Sequence, residues 1–489
     1  MTRFDSEQRL DRSIWVAIAL FALLCILINP VGYIGASSDD GRYREAALCW
    51  ARNSTLCLPH DHWSSRWPVI APLAAGIALL GDTRAAVAIG PMFYWATSLL
   101  LIGQLGRQWI SKDAGKISAA IMAATPILTS QALQPTADVV EFTYQLAALF
   151  AATKAYQLQS GRWAVAAGIF AGIAFEVRET SILFIAVSAL AWLTLKRDRR
   201  TILLLAIPAL AMTISAEMLA YWAATGDPLR RYGLAFGHVT IATSELPAGF
   251  DTRQSPLFNP AYIAAWKREM GIEWMWPLDP WLNLLASLRI GVTLWAAIIA
   301  ALVYRRLLAP DLRKRAAVIA LGAVVVSTLL IYGLALDPKS RLFLLLAAAS
   351  AIIAGGFIGA GLRSPKNVFA VALLGMVFAV NLPILYASPT IAPLEHAAGR
   401  WIERDSALIE VDPTTRGYLA FVPGVDRLAP HGSGRLLRLT VTLSSCAEQA
   451  VSIARLEEVR VQIMAVAARA HPNVGQFELC LLKISPTTG

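Results

Sequence analysis

Long apolar runs alternate with short basic ones along most of this chain. About 20 helical residues span the ~30 Å of a bilayer's hydrocarbon. Runs of that order fall at residues 14–31, 85–105, 117–133, 139–156, 201–223, 284–304, 316–336, 342–362 and 367–388. A further block, 164–195, is too long for one crossing and is interrupted by Glu176, Arg178 and Glu179. It predicts two short helices with a turn at Arg178. The pattern predicts an all-α polytopic membrane protein with about eleven transmembrane helices. Residues 68–80 are apolar but short, and predict a juxtamembrane helix lying in the outer interface.

Three segments between or after the spans are long: 32–84, 225–283 and 389–489. The last balances acidic and basic residues and carries strand-like runs, LLRLTVTLSS and QFELCLLKI, around a helix-like middle. It predicts a small α/β domain outside the membrane at 389–489, after a transmembrane domain at 1–388.

Composition agrees. Of 489 residues, 56% are hydrophobic and 16% charged, against ~25% charged in soluble domains. An ordinary soluble enzyme, a disordered chain and a small disulfide scaffold are excluded. The net charge of +10 suggests a nucleic-acid partner only until its distribution is read. With the N-terminus in the cytoplasm, the five inner loops hold 15 Lys/Arg and the three short outer loops hold 3. That alternation is the positive-inside pattern. It places the C-terminal domain in the periplasm, and the Ala- and Arg-rich composition points to a bacterial inner membrane. The N-terminal run is read as a span rather than a signal peptide, because its leading segment mixes Asp5, Glu7 and Asp11 with arginines.

Cys49, Cys57, Cys446 and Cys480 all fall on the outer side, where bridges are permitted. Local pairing, 49 with 57 and 446 with 480, is the simplest of three connectivities.

The unusual polar residues near membrane depth gather on that same side. They are Asp39, Asp40 and Arg66 in the first outer segment, then Asp138, Glu176, Arg178, Glu179, Glu217, Arg289, Lys339 and Arg341. Charges at such depth face a cavity or each other. A helix over 164–177 is only about 21 Å long, so Arg178 sits below the outer surface, where a fixed cation suits a phosphate. Alternatively Glu176, Arg178 and Glu179 neutralise one another. Asp39 or Asp40 could deprotonate an acceptor, bind a divalent cation, or cap a helix starting near Gly41. His60 and His62, two apart, make a weak metal motif with no third ligand fixed by spacing. No metal is assigned and no cofactor is certain. Trp63 and Trp67 could stack on sugar rings or belong to an interfacial aromatic belt.

In order and topology, these motifs resemble the C-type membrane glycosyltransferases. The branch is that of the protein O-mannosyltransferases and the lipid A aminoarabinose and galacturonic acid transferases. The resemblance covers residues 14–361. SSDDGRY after the first span matches the family's acidic loop and implies Asp39 or Asp40 as the catalytic carboxylate. Arg66-Trp67-Pro68 matches its basic residue before a juxtamembrane helix and implies a phosphate contact. PTADVVEFTY supplies Asp138, and the turn of the two short helices supplies Arg178, with Glu179 beside it. DPKSRLFLLL keeps the late Arg341 but lacks the family's Tyr and Pro. The resemblance implies an enzyme that takes a sugar from a polyprenyl phosphate, with inversion, and gives it to a lipid, glycan or protein. A transporter or flippase of lipid-linked sugars is the competing class. It needs access from both sides and often shows inverted repeats, whereas no repeat is visible here.

Overall fold

A computed structural model describes residues 2–28, 39–53, 57–59, 61–193, 201–236, 272, 274–275, 278–334, 340–365, 367–386, 392–433, 435, 437–442, 450–455 and 478–483. Most of these are helical. Ten helices make up the first half: α1 (Thr2–Ile28), α2 (Asp39–Asn53), α3 (Trp67–Leu80), α4 (Arg84–Trp109), α5 (Lys112–Ala124), α6 (Pro126–Thr129), α7 (Ala137–Leu158), α8 (Gly161–Val177), α9 (Ser181–Leu193) and α10 (Thr201–Thr225). Then come α11 (Arg230–Phe236), α12 (Asp279–Ala286), α13 (Gly291–Tyr304), α14 (Pro310–Thr328), α15 (Leu344–Leu362) and α16 (Asn367–Tyr386).

Among the described residues five helices are long and apolar enough to cross a membrane, and a sixth if a bent pair counts as one span. α15 is the central post: 89% of the apolar window of Ser340–Leu362 is buried. It packs on α5, α13, α14 and α16. By contrast only 17% of the window of Ile202–Thr225 is buried, so α10 presents its apolar side chains outward.

Two expected spans are not continuous helices. The run at 117–133 stops as α5 at Ala124, because Pro126 holds Thr125 in extended backbone (ψ 118°) and begins the four-residue α6. The run at 284–304 is α12 and α13, bent by 91°. Ser287 is extended there (ψ 121°), and a side chain on Gly291 would strike the Leu285 carbonyl at 2.4 Å. Enough apolar residues flank each break for the run to read as one span by hydropathy, although Arg289 falls within the second. The pair α8 and α9 does turn at Arg178, which is extended (ψ 126°). Ser181 N–H donates to the Arg178 carbonyl there, at 3.0 Å.

Near the C-terminus a five-stranded sheet has the order β2-β1-β3-β5-β4. The strands are β1 (Ile409–Val411), β2 (Ala429–Pro430), β3 (Leu437–Thr442), β4 (Ala450–Arg455) and β5 (Glu478–Lys483). β1 is parallel to β2 and β3, and β5 runs antiparallel to β3 and β4. Helix Ala392–Asp405 packs on β4 and β5. Arg84 of α4 pairs with Glu395 of this helix, and the Phe421 ring lies under both Arg44 and Arg84.

Candidate active site

The site assembles where α2, the segment before α3, the start of α7, the α8–α9 turn and the start of α15 meet. α2 begins at Asp39, so both aspartates occupy its first turn, where the helix dipole favours anions. Their side chains part from there. Asp40 is wholly buried; its Oδ1 accepts from Gly41 N–H at 3.0 Å and its Oδ2 from Gln134 Nε2 at 3.3 Å. Asp39 is about one-third exposed (32%). Its Oδ1 accepts from the Trp63 indole at 3.0 Å, and its Oδ2 lies 3.5 Å from Arg341 Nη1.

The segment leading to α3 is held by local chemistry. The Cys49–Cys57 bridge ties its start to α2. Asp61 accepts from Ser64 N–H at 2.7 Å and from Ser64 Oγ at 2.6 Å, a side-chain turn that presents Trp63. Pro68 in the first turn of α3 fixes the exit. Arg66, buried before that turn, donates from Nη1 to the Tyr43 hydroxyl at 2.6 Å.

Arg178 closes the opposite side. Its Nη1 contacts Asp138 Oδ1 at 2.5 Å and approaches Glu141 Oε2 at 3.9 Å. Arg341 Nε lies 3.8 Å from Asp138 Oδ2 and makes no hydrogen bond among the described residues. Thus Asp39, Arg66, Asp138, Arg178 and Arg341 are brought together. Burial pushes the Asp39 carboxyl up, but Arg341, the Trp63 N–H, Arg178 and Arg66 outweigh it and hold it below the usual carboxylate range. Tyr43, wholly buried, is pushed up by its burial and by Asp39 despite Arg66 and Arg178, and stays a neutral hydroxyl.

Glu179 is not in this group. It accepts from Arg231 Nη2 at 2.9 Å. Arg231 is 0% exposed and also donates to Glu217 Oε2 at 2.9 Å and to the Phe175 carbonyl at 3.2 Å. The alternative reading, mutual neutralisation of Glu176, Arg178 and Glu179, gives way to partners on three other elements. Glu176 takes the Trp67 indole at 2.6 Å.

Four contributors escaped the sequence reading. Tyr43 carries no charge to flag it. Glu141 and Gln145 lie on the Asp138 face of α7 at helical spacing, a signal that was available. Arg231 sits in a long polar segment, and the only hint was that Glu217 within a span needs a cation from elsewhere.

Beneath the cluster a small cavity of ≈ 30 Å³ is walled by Asp138, Glu141, Arg178 and Arg341. It shares Phe184, Val326 and Leu345 with an apolar groove of ≈ 430 Å³ between α4, α7, α9, α14 and α15. The far end of the groove reaches Trp109, Trp192, Lys314 and Arg315. No cluster of three or more His, Cys, Asp or Glu suited to a metal occurs among the described residues. His60, Lys339 and Cys446 lie outside them. Cys480 is disulfide-bonded.

Residues 66–222 match the model of the dolichyl-phosphate-mannose-protein mannosyltransferase family. No curated protein matches by sequence. Among solved structures, the apo oligosaccharyltransferase of Archaeoglobus fulgidus aligns at 14% identity and TM-score 0.48, over 87% of this chain and 65% of that one. This chain thus spans less than two thirds of the archaeal protein's length. ArnT from Cupriavidus metallidurans, bound to undecaprenyl phosphate, aligns at 14% identity and TM-score 0.44, over 96% of this chain and 98% of that one. In its apo state it aligns at 15% and 0.40, over 96% and 97%. The chain resembles the C-type membrane glycosyltransferases, and its mannosyltransferase-like segment, residues 66–222, carries Arg66, Asp138 and Arg178.

Proposed function

We propose that the chain transfers a sugar from a polyprenyl-phosphate donor to a lipid, glycan or protein acceptor. The transfer takes place on the periplasmic face of a bacterial inner membrane. The observation that carries this reading is the continuity of an apolar groove with a cluster of guanidiniums and one accessible carboxylate. The groove suits the apolar chain of a polyprenyl lipid, and Arg178 and Arg341, in the small cavity that shares its wall, suit the phosphate. The family match over 66–222 supports the same reaction class.

In this mechanism the acceptor hydroxyl or amine attacks the anomeric carbon from the face opposite the phosphate. The bond from that carbon to the phosphate oxygen breaks, and the configuration inverts. Asp39 takes the acceptor's proton. Polyprenyl phosphate leaves with the bonding electrons, and Arg341, Arg178 and Arg66 stabilise its developing charge. Fixed cations aimed at charge that appears in the transition state are a large catalytic term. A positioned base typically adds about 10²–10⁴-fold. Asp138 holds Arg178 in place.

The topology that accompanies this reading has eleven crossings, a cytoplasmic N-terminus and a periplasmic C-terminal sheet. The Cys49–Cys57 bridge beside the site suits an oxidising compartment. Lys314 and Arg315 at the other end of the groove suit the cytoplasmic side.

The test is a transfer assay with purified protein, synthetic polyprenyl-phosphate sugars and native membrane lipid. Release of polyprenyl phosphate by wild type and not by Asp39→Asn is the expected result. Silence from every donor, with lipid-linked sugar moved across liposomes instead, would sink the reading in favour of a flippase.

A further inference from the structure

Glu176 and Glu217 stand outside the Asp39 cluster, and the mechanism uses neither. Glu176 is 1% exposed and Glu217 is 9% exposed. Each commits one carboxylate oxygen within the protein. Glu176 Oε2 accepts from Trp67 and Glu217 Oε2 from Arg231. The second oxygen of each, Oε1, has no hydrogen-bond partner among the described residues. A buried carboxylate oxygen left unsatisfied is costly, and calls for an explanation.

Both carboxylates line a cavity of ≈ 640 Å³ formed by α8, α10 and residues of the first outer segment. Trp50, Trp67 and Tyr221 supply its aromatic wall, and Ile173 and Met212 are part of an otherwise apolar lining. One strand of chain separates it from Asp39. In that strand Trp63 and Arg66 bond to Asp39 and Tyr43, while Ser64 and Trp67 line the cavity. Arg231 already supplies a cation to Glu217 and Glu179. Glu176 is met instead by the neutral indole of Trp67. What the two free oxygens lack is a donor, which a neutral hydroxyl supplies.

We infer that this cavity is the acceptor subsite, and that it takes an amphiphile with a polyhydroxylated head, a glycolipid in chemical class. The assignment to the acceptor rests on the glycosyl-transfer reading. Carboxylate oxygens accept from sugar hydroxyls, and indole faces pack on the ring's C–H surface. The apolar wall of α8 and α10 takes the alkyl chain.

The test uses the full chain in phosphatidylcholine nanodiscs and a decyl β-glucoside carrying a photoreactive diazirine in its alkyl chain. Labelling is expected on peptides of α8 and α10. It is displaced by excess decyl glucoside and not by decanol. The double variant Glu176→Gln/Glu217→Gln weakens it about tenfold or more, the usual order for hydrogen bonds to charged groups. Ile173→Trp fills the cavity without touching either carboxylate and abolishes labelling. In the transfer assay it raises the acceptor KM and leaves the donor KM unchanged. Equal displacement by decanol, or indifference to both variants, overturns the inference. So does displacement by undecaprenyl phosphate, which would make this the donor's site. Labelling does not depend on turnover, so failure of transfer with every donor removes the acceptor role separately from the glycoside site.

Discussion

Arg341 Nη1 stands 3.5 Å from Asp39 Oδ2, a separation longer than a hydrogen bond. Its Nε, 3.8 Å from Asp138, is likewise without a hydrogen bond among the described residues. Arg341 is thus attracted by two carboxylates and committed to neither. Arg178 differs: it is locked onto Asp138 at 2.5 Å. This asymmetry separates a cation that can swing onto an incoming phosphate from one that is fixed in place to meet it.

Asp39 and Asp40 are adjacent in sequence and differ in consequence. Asp39→Asn should lower transfer by about 10²–10⁴-fold with folding intact. Asp40→Asn should lower the melting temperature instead, because Asp40 is buried against Gly41 and Gln134. Rates per folded protein, read beside thermal unfolding, distinguish them. Because Asp39 lies below the usual carboxylate range, it is ionised at neutral pH. Activity should fall only in acid, as pH drops through that depressed value.

Arg341→Ala should raise the donor KM with little change in stability. Arg178→Ala should destabilise by about 3–5 kcal/mol, the order seen when one partner of a buried pair is removed. It would leave Asp138 and Glu141 without their cation. A donor titration combined with a detergent melt checks both. Equal loss of stability in the two variants would erase the distinction.

Much of this site was legible because charge within an apolar pattern is conspicuous. Asp138, Arg178 and Arg341 announce themselves by interrupting hydrophobic runs, and the turn at Arg178 follows from a run too long for one crossing and the charges that break it. The pairing was not legible. Glu179 is next to Arg178 in sequence but bonds Arg231, because an extended residue at a helix end sends neighbouring side chains in different directions. The broken runs at Pro126 and Gly291 were also hidden, since a break in direction changes no residue's hydropathy.

The Cys49–Cys57 bridge closes a loop with a separation of eight residues, just before the turn that presents Trp63 and Arg66. A loop of that size constrains the unfolded chain by roughly 2–3 kcal/mol. Cys49→Ser/Cys57→Ser should therefore melt earlier and lose transfer activity more steeply with temperature than wild type. Reducing agent should shift wild type by more than the variant, which keeps only the bridge at Cys480. A reductant effect of equal size in both would assign it to another bridge.

Close packing of α8 on α10 depends on Gly168. A Cβ there would lie 2.1 Å from the Ala206 carbonyl oxygen, so Gly168→Ala forces the helices apart. The variant should unfold at lower temperature and show faster hydrogen exchange in α8 and α10. The α12–α13 bend, remote from that contact, should keep its exchange rates.

Glu410 of β1 should make the C-terminal sheet acid-sensitive. It is wholly buried, and Arg438 Nε donates to it at 2.8 Å, with His431 Nδ1 at 3.2 Å. Burial alone would raise its carboxyl, but Arg438, the Gly432 backbone and His431 hold it down to about 2. A group depressed in the folded state favours folding above its unfolded value of 4.5. That contribution shrinks as pH falls from there toward about 2. In the full chain, the protection factors of amides in β1 and β3, which remove the intrinsic pH dependence of exchange, should therefore fall across this window. Glu410→Gln should start less protected at neutral pH and change less on acidification. Protection that is flat from pH 5 to pH 2 in wild type would show that Arg438 and Glu410 do not hold the strands together.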